Sequence, residues 1–341
     1  MHLNFYILYF ILVLLLLLLC KKQKLFLDFK LEKHKRYSSK TKSHYIGGII
    51  FLPFIYYNYI QLYNDVFLFT FLSLIFLIGL LSDLKILNSV SLRFFLQLIF
   101  IFLFVQLLNL EIRSTKIEFL DNLLSNQLTN SFFVTFCLMV LINGSNFTDG
   151  LNGMILKYYI LIYAVIIYKL SNLTFIDINL LTNLVLVLSI ILFFNLTGFL
   201  YMGDSGAYLI SLFTGIYLIN FSYNSPSVSP YLIIVFLWYP CFELLFSMIR
   251  RRINAFKTYK PDTRHLHQLA HEFIKKTFNI ENSLLSHSLT TTIINSYNLL
   301  IFIISIKYIF NSDVLIGIII TNIIIYLFIY NFLLKNILIK K

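Results

Sequence analysis

Long apolar runs alternate with short polar clusters from one end of this chain to the other. Eleven runs stand out, at about 4–20, 46–63, 66–81, 90–110, 131–143, 154–169, 179–196, 206–221, 230–249, 289–310 and 313–334. The fifth is short, and the seventh and tenth have soft boundaries. Crossing the hydrocarbon core takes about 20 apolar residues in a helix. Backbone groups in lipid must pair internally, so these runs predict helices. Any single run could be a core helix of a soluble protein. Eleven in series leave too little polar surface to cover one. The predicted fold class is all-α: a polytopic integral membrane protein with about 11 transmembrane helices, forming one domain across 1–341.

Composition agrees. The chain is 59% apolar, only 12% charged, and has a mean hydropathy of +0.83. The first run resembles a signal-peptide core, but Lys21, Lys22 and Lys24 follow it in place of a small-residue cleavage site. It reads as a retained helix with its N-terminus outside. Nine Lys/Arg crowd residues 21–44 and eight crowd 250–290. Threading the chain through a bilayer leaves only Arg113, Lys116, Lys169 and Lys307, of 27 Lys/Arg, on the other side. Positive loops stay cytoplasmic, which predicts an outside N-terminus and a cytoplasmic C-terminus. Cytoplasmic loops are expected at about 21–45, 82–90, 144–153, 197–205 and 250–288. The net charge of +12 then reflects this bias and anionic lipid heads, with no nucleic acid implied. Cys20, Cys137 and Cys241 lack metal-ligand spacing and suggest no disulfide framework.

The polar clusters all fall on the predicted cytoplasmic side. In Asn143–Gly153, Asn146, Asp149 and Asn152 recur every third residue. If the sixth apolar helix begins there, they share a face. A carboxylate beside an amide oxygen suits Mg²⁺, which takes few protein ligands. An Asn/Asp/Gly turn with a helix N-cap is an equally open reading. Asp204, in Gly203-Asp204-Ser205-Gly206, opens the eighth apolar helix. A helix N-terminus accepts phosphate or positions a metal-binding carboxylate, though Asp and Ser also serve as plain caps. His265 and His267 follow Arg264. Their spacing puts both rings on one side of an extended segment, where they could bind a diphosphate, or Zn²⁺ with a third ligand such as His271. Asp83 ends the third apolar helix, where a carboxylate meets the negative helix end. Glu243 lies inside the ninth run and needs a partner; Arg250, Arg251 or Arg252 would serve.

In this order the clusters resemble the polyprenyl-phosphate N-acetylhexosamine-1-phosphate transferase family (glycosyltransferase family 4), which includes the phospho-N-acetylmuramoyl-pentapeptide transferases. Gly47-Gly48 is similar to its Gly-Gly element, and Gly79-Leu80-Leu81-Ser82-Asp83 to its Gly-x-x-Asp-Asp motif. Asn143 to Met154 resembles Asn-x-x-Asn-x-x-Asp-Gly-x-Asp-Gly-Leu. Asn195 with Met202–Gly206 resembles the Asn…Gly-Asp-x-Gly element. Pro240–Glu243, Arg250-Arg251 and Asp262…His265-Leu266-His267 resemble the last signature. Ser82, Asn152 and Gln268 depart from it, standing where the family often has Asp, Asp and a third His. No Pro precedes Gly47-Gly48 either.

The resemblance implies transfer of an N-acetylhexosamine 1-phosphate from a UDP-sugar to undecaprenyl or another polyprenyl phosphate, releasing UMP, with Mg²⁺ or Mn²⁺ as cofactor. It implies a bacterial inner-membrane enzyme whose active site faces the cytoplasm and starts a lipid-linked envelope glycan; a homodimer stays open. Asp204 and Asn146 would hold the metal. Asp149 would orient the metal shell or the nucleotide, and Asp83 would steer or deprotonate the lipid phosphate. His265, His267 and Arg264 would grip the diphosphate, with Asn143, Asn152, Asn195, Gly47 and Gly48 lining the substrate site. Two alternatives remain: a catalytically silent member of the fold, and a transporter of an anionic substrate. Transporters keep polar groups near the bilayer midplane, and here only Glu243 sits partway in. Reporter fusions at Thr115 and Asn224 should score outside, and fusions at Thr41 and Thr258 inside. A reversal at Thr258 would remove the His265–His267 segment from the shared face.

Overall fold

The computed structural model describes residues 2–26, 43–58, 65–170, 177–253 and 264–338. Most of the expected 21–45 loop lies outside the described residues, as do Pro261, Asp262 and Thr263 of the last signature. The described residues form thirteen helices and two very short strands. In chain order these are α1 (His2–Gln23), β1 (His44–Tyr45), α2 (Gly47–Tyr56), α3 (Val66–Asp83), α4 (Val90–Leu107), α5 (Glu118–Leu124), α6 (Gln127–Thr148) and α7 (Met154–Leu170). Then come α8 (Ile178–Leu196), β2 (Leu200–Tyr201), α9 (Gly203–Asn224), α10 (Tyr231–Ile253), α11 (Leu266–Thr277), α12 (Ser283–Ile306) and α13 (Ser312–Leu338).

Each of the eleven apolar runs contains a helix. Among the described residues, nine are long and apolar enough to cross a membrane. The other two runs hold α7, with 17 residues, and α2, described over 10. At 1.5 Å per residue α7 still rises about 25 Å. The protein is an all-α polytopic membrane protein. Side chains cap most span entrances as their sequences suggest: Asp65 on α3, Ser89 on α4, Asn126 on α6, Asp177 on α8 and Asn282 on α12.

Two boundaries differ from expectation. Helix α6 runs on to Thr148, so the first half of the expected 144–153 loop is helical. The polar residues there satisfy themselves within the helix or against neighbours. Thr148 donates to the Ser145 carbonyl (2.9 Å), Ser145 pairs with the Tyr159 hydroxyl (2.6 Å), and Asn143 donates to the Met139 carbonyl (2.9 Å). Asn146 and Asp149 therefore belong to the end of one helix and not to the start of the next. The expected 250–288 loop holds α11, which hydropathy alone misses because it is amphipathic: Leu266, Leu269 and Ile274 are buried while Lys275 and Lys276 are exposed.

Helix α9 is the hub. Most of its side chains are buried, and α2, α3 and α6 pack on it. The approach is close because glycines face its first turn. A Cβ added at Gly79 would lie 2.4 Å from Ser205 Cα, at Gly48 2.7 Å from the Gly206 nitrogen, and at Gly47 2.6 Å from Met202 Cα. Small residues let helices in lipid meet backbone to backbone. Strand β1 pairs in parallel with β2, His44 opposite Leu200, next to the same turn. The outer helices α1 and α13 expose Leu8, Leu12, Leu15, Ile324 and Phe328, apolar faces suited to hydrocarbon.

Polar bonds within the span region join the remaining helices. Trp238 Nε1 donates to Asn298 Oδ1 (3.0 Å), and the Tyr297 hydroxyl to Asn322 Oδ1 (2.7 Å). Pro240 lies inside α10 and offers no N–H to the Phe236 carbonyl four residues back. The Tyr158 hydroxyl of α7 supplies that bond at 2.7 Å. Gly144 of α6 faces the same bend, where an added Cβ would lie 2.2 Å from the Pro240 oxygen.

Gly79→Ala should therefore push α3 off α9 and cost about 1–3 kcal/mol. Gly317→Ala, on α13 with nothing within 4 Å of the added carbon, should be neutral or gain up to about 1 kcal/mol. Thermal unfolding of the two variants in detergent checks this; equal Tm values would contradict the close α3–α9 contact.

Candidate functional site

Helix α9 starts without a cap of its own: Met202 stands at its N-cap position and provides no side-chain bond. Asp83, the last residue of α3, fills that role from outside. Its Oδ1 accepts from the Asp204 N–H (2.8 Å), and its Oδ2 from the Ser205 N–H (3.0 Å) and Ser205 hydroxyl (2.7 Å). An anion at the positive end of a helix is favoured. Gly203 has a positive φ of 69°, and a Cβ there would lie 2.6 Å from Asp83 Oδ2. Glycine lets the carboxylate reach the free N–H groups.

The turn so fixed carries Asp204. Its Oδ2 accepts from the Ser82 hydroxyl (2.6 Å) and pairs with Arg93 Nη1 of α4 (2.6 Å). Arg93 also donates to the Ser82 hydroxyl. Ser82, where the resemblance expects a second acid, is a bridge between Asp204 and a cation. Arg93 went unnoticed in the sequence because one Arg near a helix start reads as an ordinary cytoplasmic charge.

Asp149 follows the end of α6. Burial, and then the negative charges of Asp204 and Asp83, push its carboxyl well above the usual carboxylate range. Three acids thus crowd one end of the bundle, with one described cation, Arg93, paired to them. Asn146 stands beside the Tyr208 hydroxyl. Asn143 donates to Gln97 Oε1 at 3.2 Å and keeps its carbonyl oxygen on offer. Among the described residues, no three His, Cys, Asp or Glu side chains gather as a group that could hold a metal ion by themselves. Carboxyl groups close together, next to amide oxygens, fit a hard cation that keeps water and substrate oxygens in its shell.

Asn152 and Asn195 act within the protein. Asn152 Nδ2 donates to the Asn195 carbonyl (2.6 Å), and its Oδ1 lies 3.1 Å from His287 Nδ1. Asn195 Oδ1 accepts from the Gly153 N–H (2.5 Å), while its Nδ2 donates to the Leu200 carbonyl (2.9 Å). Together they staple the α6–α7 break to α8, β2 and α12. Gly47 and Gly48 face the first turn of α9, as described above.

The last cluster meets the acids across Phe147–Gly150. The His265 ring packs against Phe147 (centroids 5.5 Å) and a stacked His267 (5.6 Å, 9° between planes). A Cβ at Gly150 would come within 2.7 Å of His267 Nε2. His265 and His267 therefore sit together as their spacing predicted, although His267 is already in the first turn of α11. His267 is fully buried with neither ring nitrogen hydrogen-bonded. Burial, and next the His265 charge, push its pKa down to about 3, so it is neutral. His271, the third ligand a zinc reading needs, bonds Ser286 Oγ (2.7 Å). Arg264 is exposed, and its carbonyl accepts from Arg250.

Glu243 does not pair with the arginines of α10. Its Oε1 lies 2.9 Å from His265 Nδ1, its Oε2 accepts from Tyr326 (2.7 Å), and Arg250 turns instead to Tyr330. One signal could have found this pair: an acid deep in an apolar run needs a partner, and the nearest histidines follow 22 residues later.

A comparison with curated proteins gave no match. Residues 65–222 match the family model described as glycosyl transferase family 4. The matched stretch begins at the Asp65 cap of α3 and ends in α9, so it holds Asp83, Arg93, Asn146, Asp149 and Asp204. This stretch, somewhat under half of the chain, is similar to glycosyl transferase family 4, which supports a polyprenyl-phosphate sugar-phosphate transferase family in general.

Proposed function

We propose that this protein transfers an N-acetylhexosamine 1-phosphate from a UDP-sugar to a polyprenyl phosphate such as undecaprenyl phosphate, releasing UMP, at the cytoplasmic face of a bacterial inner membrane. The supporting observation is the acidic cluster Asp83, Asp149 and Asp204, with Arg93, at one end of an apolar helix bundle and inside the family match. A transporter would place such groups near mid-bilayer.

In the reaction, an oxygen of the lipid phosphate attacks the phosphorus that bears the sugar. The bond from that phosphorus to the bridging oxygen breaks, and UMP leaves with the electron pair. Asp204 and Asn146 would hold Mg²⁺, which when bound would supply positive charge against the charge on the leaving UMP. Asp149 would complete the acidic face. Arg93 would hold Asp204 at a fixed angle. His265 and Arg264 would bind diphosphate oxygens. His267, neutral and buried, would back the His265 ring. The lipid phosphate has a second pKa of about 6, so near pH 7 it needs little help to lose a proton. Three donors already fill Asp83. Its part is therefore to aim Asp204, in place of the proton transfer suggested by its position in the motif.

Purified protein given labelled UDP-N-acetylhexosamines and undecaprenyl phosphate should release UMP, and EDTA should abolish this. Asp204→Ala should cut turnover at least about 100-fold at near-normal Tm; retention of half the wild-type rate would reduce Asp204 to a helix cap. Asp83→Asn puts an amide nitrogen against donors and should cost about 1.5–3 kcal/mol of stability. It should also raise the Mg²⁺ concentration needed for half-maximal rate. An unchanged Mg²⁺ requirement with lost kcat would return Asp83 to the attack step.

A further inference from the structure

Glu243 and Tyr326 take no part in the reaction as written, yet they bond each other at 2.7 Å inside the bundle. Glu243 is fully buried in α10. A buried carboxylate costs several kcal/mol unless its oxygens are well bonded. Here Oε1 meets His265 Nδ1 at 2.9 Å and Oε2 the Tyr326 hydroxyl at 2.7 Å, and both lie 3.4 Å from the Leu266 N–H. Two spans, α10 and α13, thus converge on one imidazole at the start of α11.

A carboxylate at Nδ1 decides which way an imidazole works. Nδ1 carries a hydrogen committed to the carboxylate, so whatever the ring offers a substrate, it offers at Nε2. No described residue hydrogen-bonds His265 Nε2. The ring packs against two others, Phe147 at 5.5 Å and His267 at 5.6 Å between centroids, which restricts its swing. Phe147 leads directly to Asp149 in the acidic cluster. A pair kept only for packing would have no reason to end on a ring with one nitrogen left over beside that cluster.

We propose that Glu243 is a positioning residue, braced by Tyr326, that holds His265 by Nδ1–H and aims Nε2 at the substrate diphosphate, where a second proton on the ring lets Nε2–H donate to a phosphate oxygen. The inference rests on the reading of His265 as a diphosphate contact.

Glu243→Gln keeps the shape but has one carbonyl oxygen for two donors, the Tyr326 hydroxyl and His265 Nδ1–H. In full-length protein in nanodiscs, with UDP-sugar and undecaprenyl phosphate, it should lower kcat/KM about 10–100-fold. In a His265→Ala background the same change should add less than about 2-fold, because a residue acting through another is non-additive with it. Tyr326→Phe leaves the pair intact and should lower kcat/KM several-fold at near-normal Tm, which keeps the test open if Glu243→Gln fails to fold. An additive loss in the double variant, or wild-type kcat/KM in Tyr326→Phe and Glu243→Gln, would overturn the proposal. A ring-¹⁵N histidine spectrum of the same protein separates its failure from that of the sugar-transfer reading, since it needs no turnover. Beside the Nδ1-protonated rings of His44 and His287, wild type should show a further Nδ1-protonated ring that disappears in His265→Ala and moves to mixed tautomers in Glu243→Gln. A His265 ring protonated at Nε2 alone would sink the inference even in an active transferase.

Discussion

The first turn of α9 depends on a carboxylate that belongs to another helix. Met202 brings α9 no cap, so its leading N–H groups would open onto an interface with α2 and α3. Asp83 closes them with three bonds, and much else follows from that contact. Gly79 must be glycine for α3 to come near enough, and Gly203 must take a positive φ to let the carboxylate in. Once the turn is set, Asp204 points to Ser82 and Arg93, and α4 joins the cluster. A helix terminus buried against other helices leaves its N–H groups little water to fall back on, which makes this exchange between helices a condition of the bundle.

Much of the architecture was legible in the chain. Hydropathy marked all eleven apolar helices, because a span in lipid is specified largely by its own sequence. Helix α11 was hidden, since its apolar face answers to α12 and α13 and not to lipid. The extension of α6 to Thr148 was hidden too: Asn, Gly, Ser and Thr read as a turn until neighbours such as Tyr159 and Pro240 are known to receive them. Local sequence speaks of propensity, whereas these residues obey contacts from far along the chain.

The site divides in the same way. Asp83, Asp149, Asp204, His265 and His267 could be picked out because acids and imidazoles are rare in so apolar a chain. Which groups they touch could not. Arg93, Glu243 and Tyr326 come from three different spans, and only the folded bundle brings them to Asp204 and His265. Asn152 and Asn195 show the converse: residues with the look of ligand contacts bind the backbone that shapes the site. Ser82 in place of an acid removes a negative charge beside Asp204, where Arg93 already approaches.

The bend at Pro240 bears on how such a chain is made. A ribosome delivers α7 to the bilayer well before α10, and α10 enters with the Phe236 carbonyl lacking its helical partner. That oxygen is satisfied only when the Tyr158 hydroxyl of the earlier helix arrives. Insertion and assembly are then not separate stages for this span. Helix α10 reaches its settled state as a late arrival docking onto a helix already waiting in the membrane, and the order of synthesis supplies the acceptor's partner in advance.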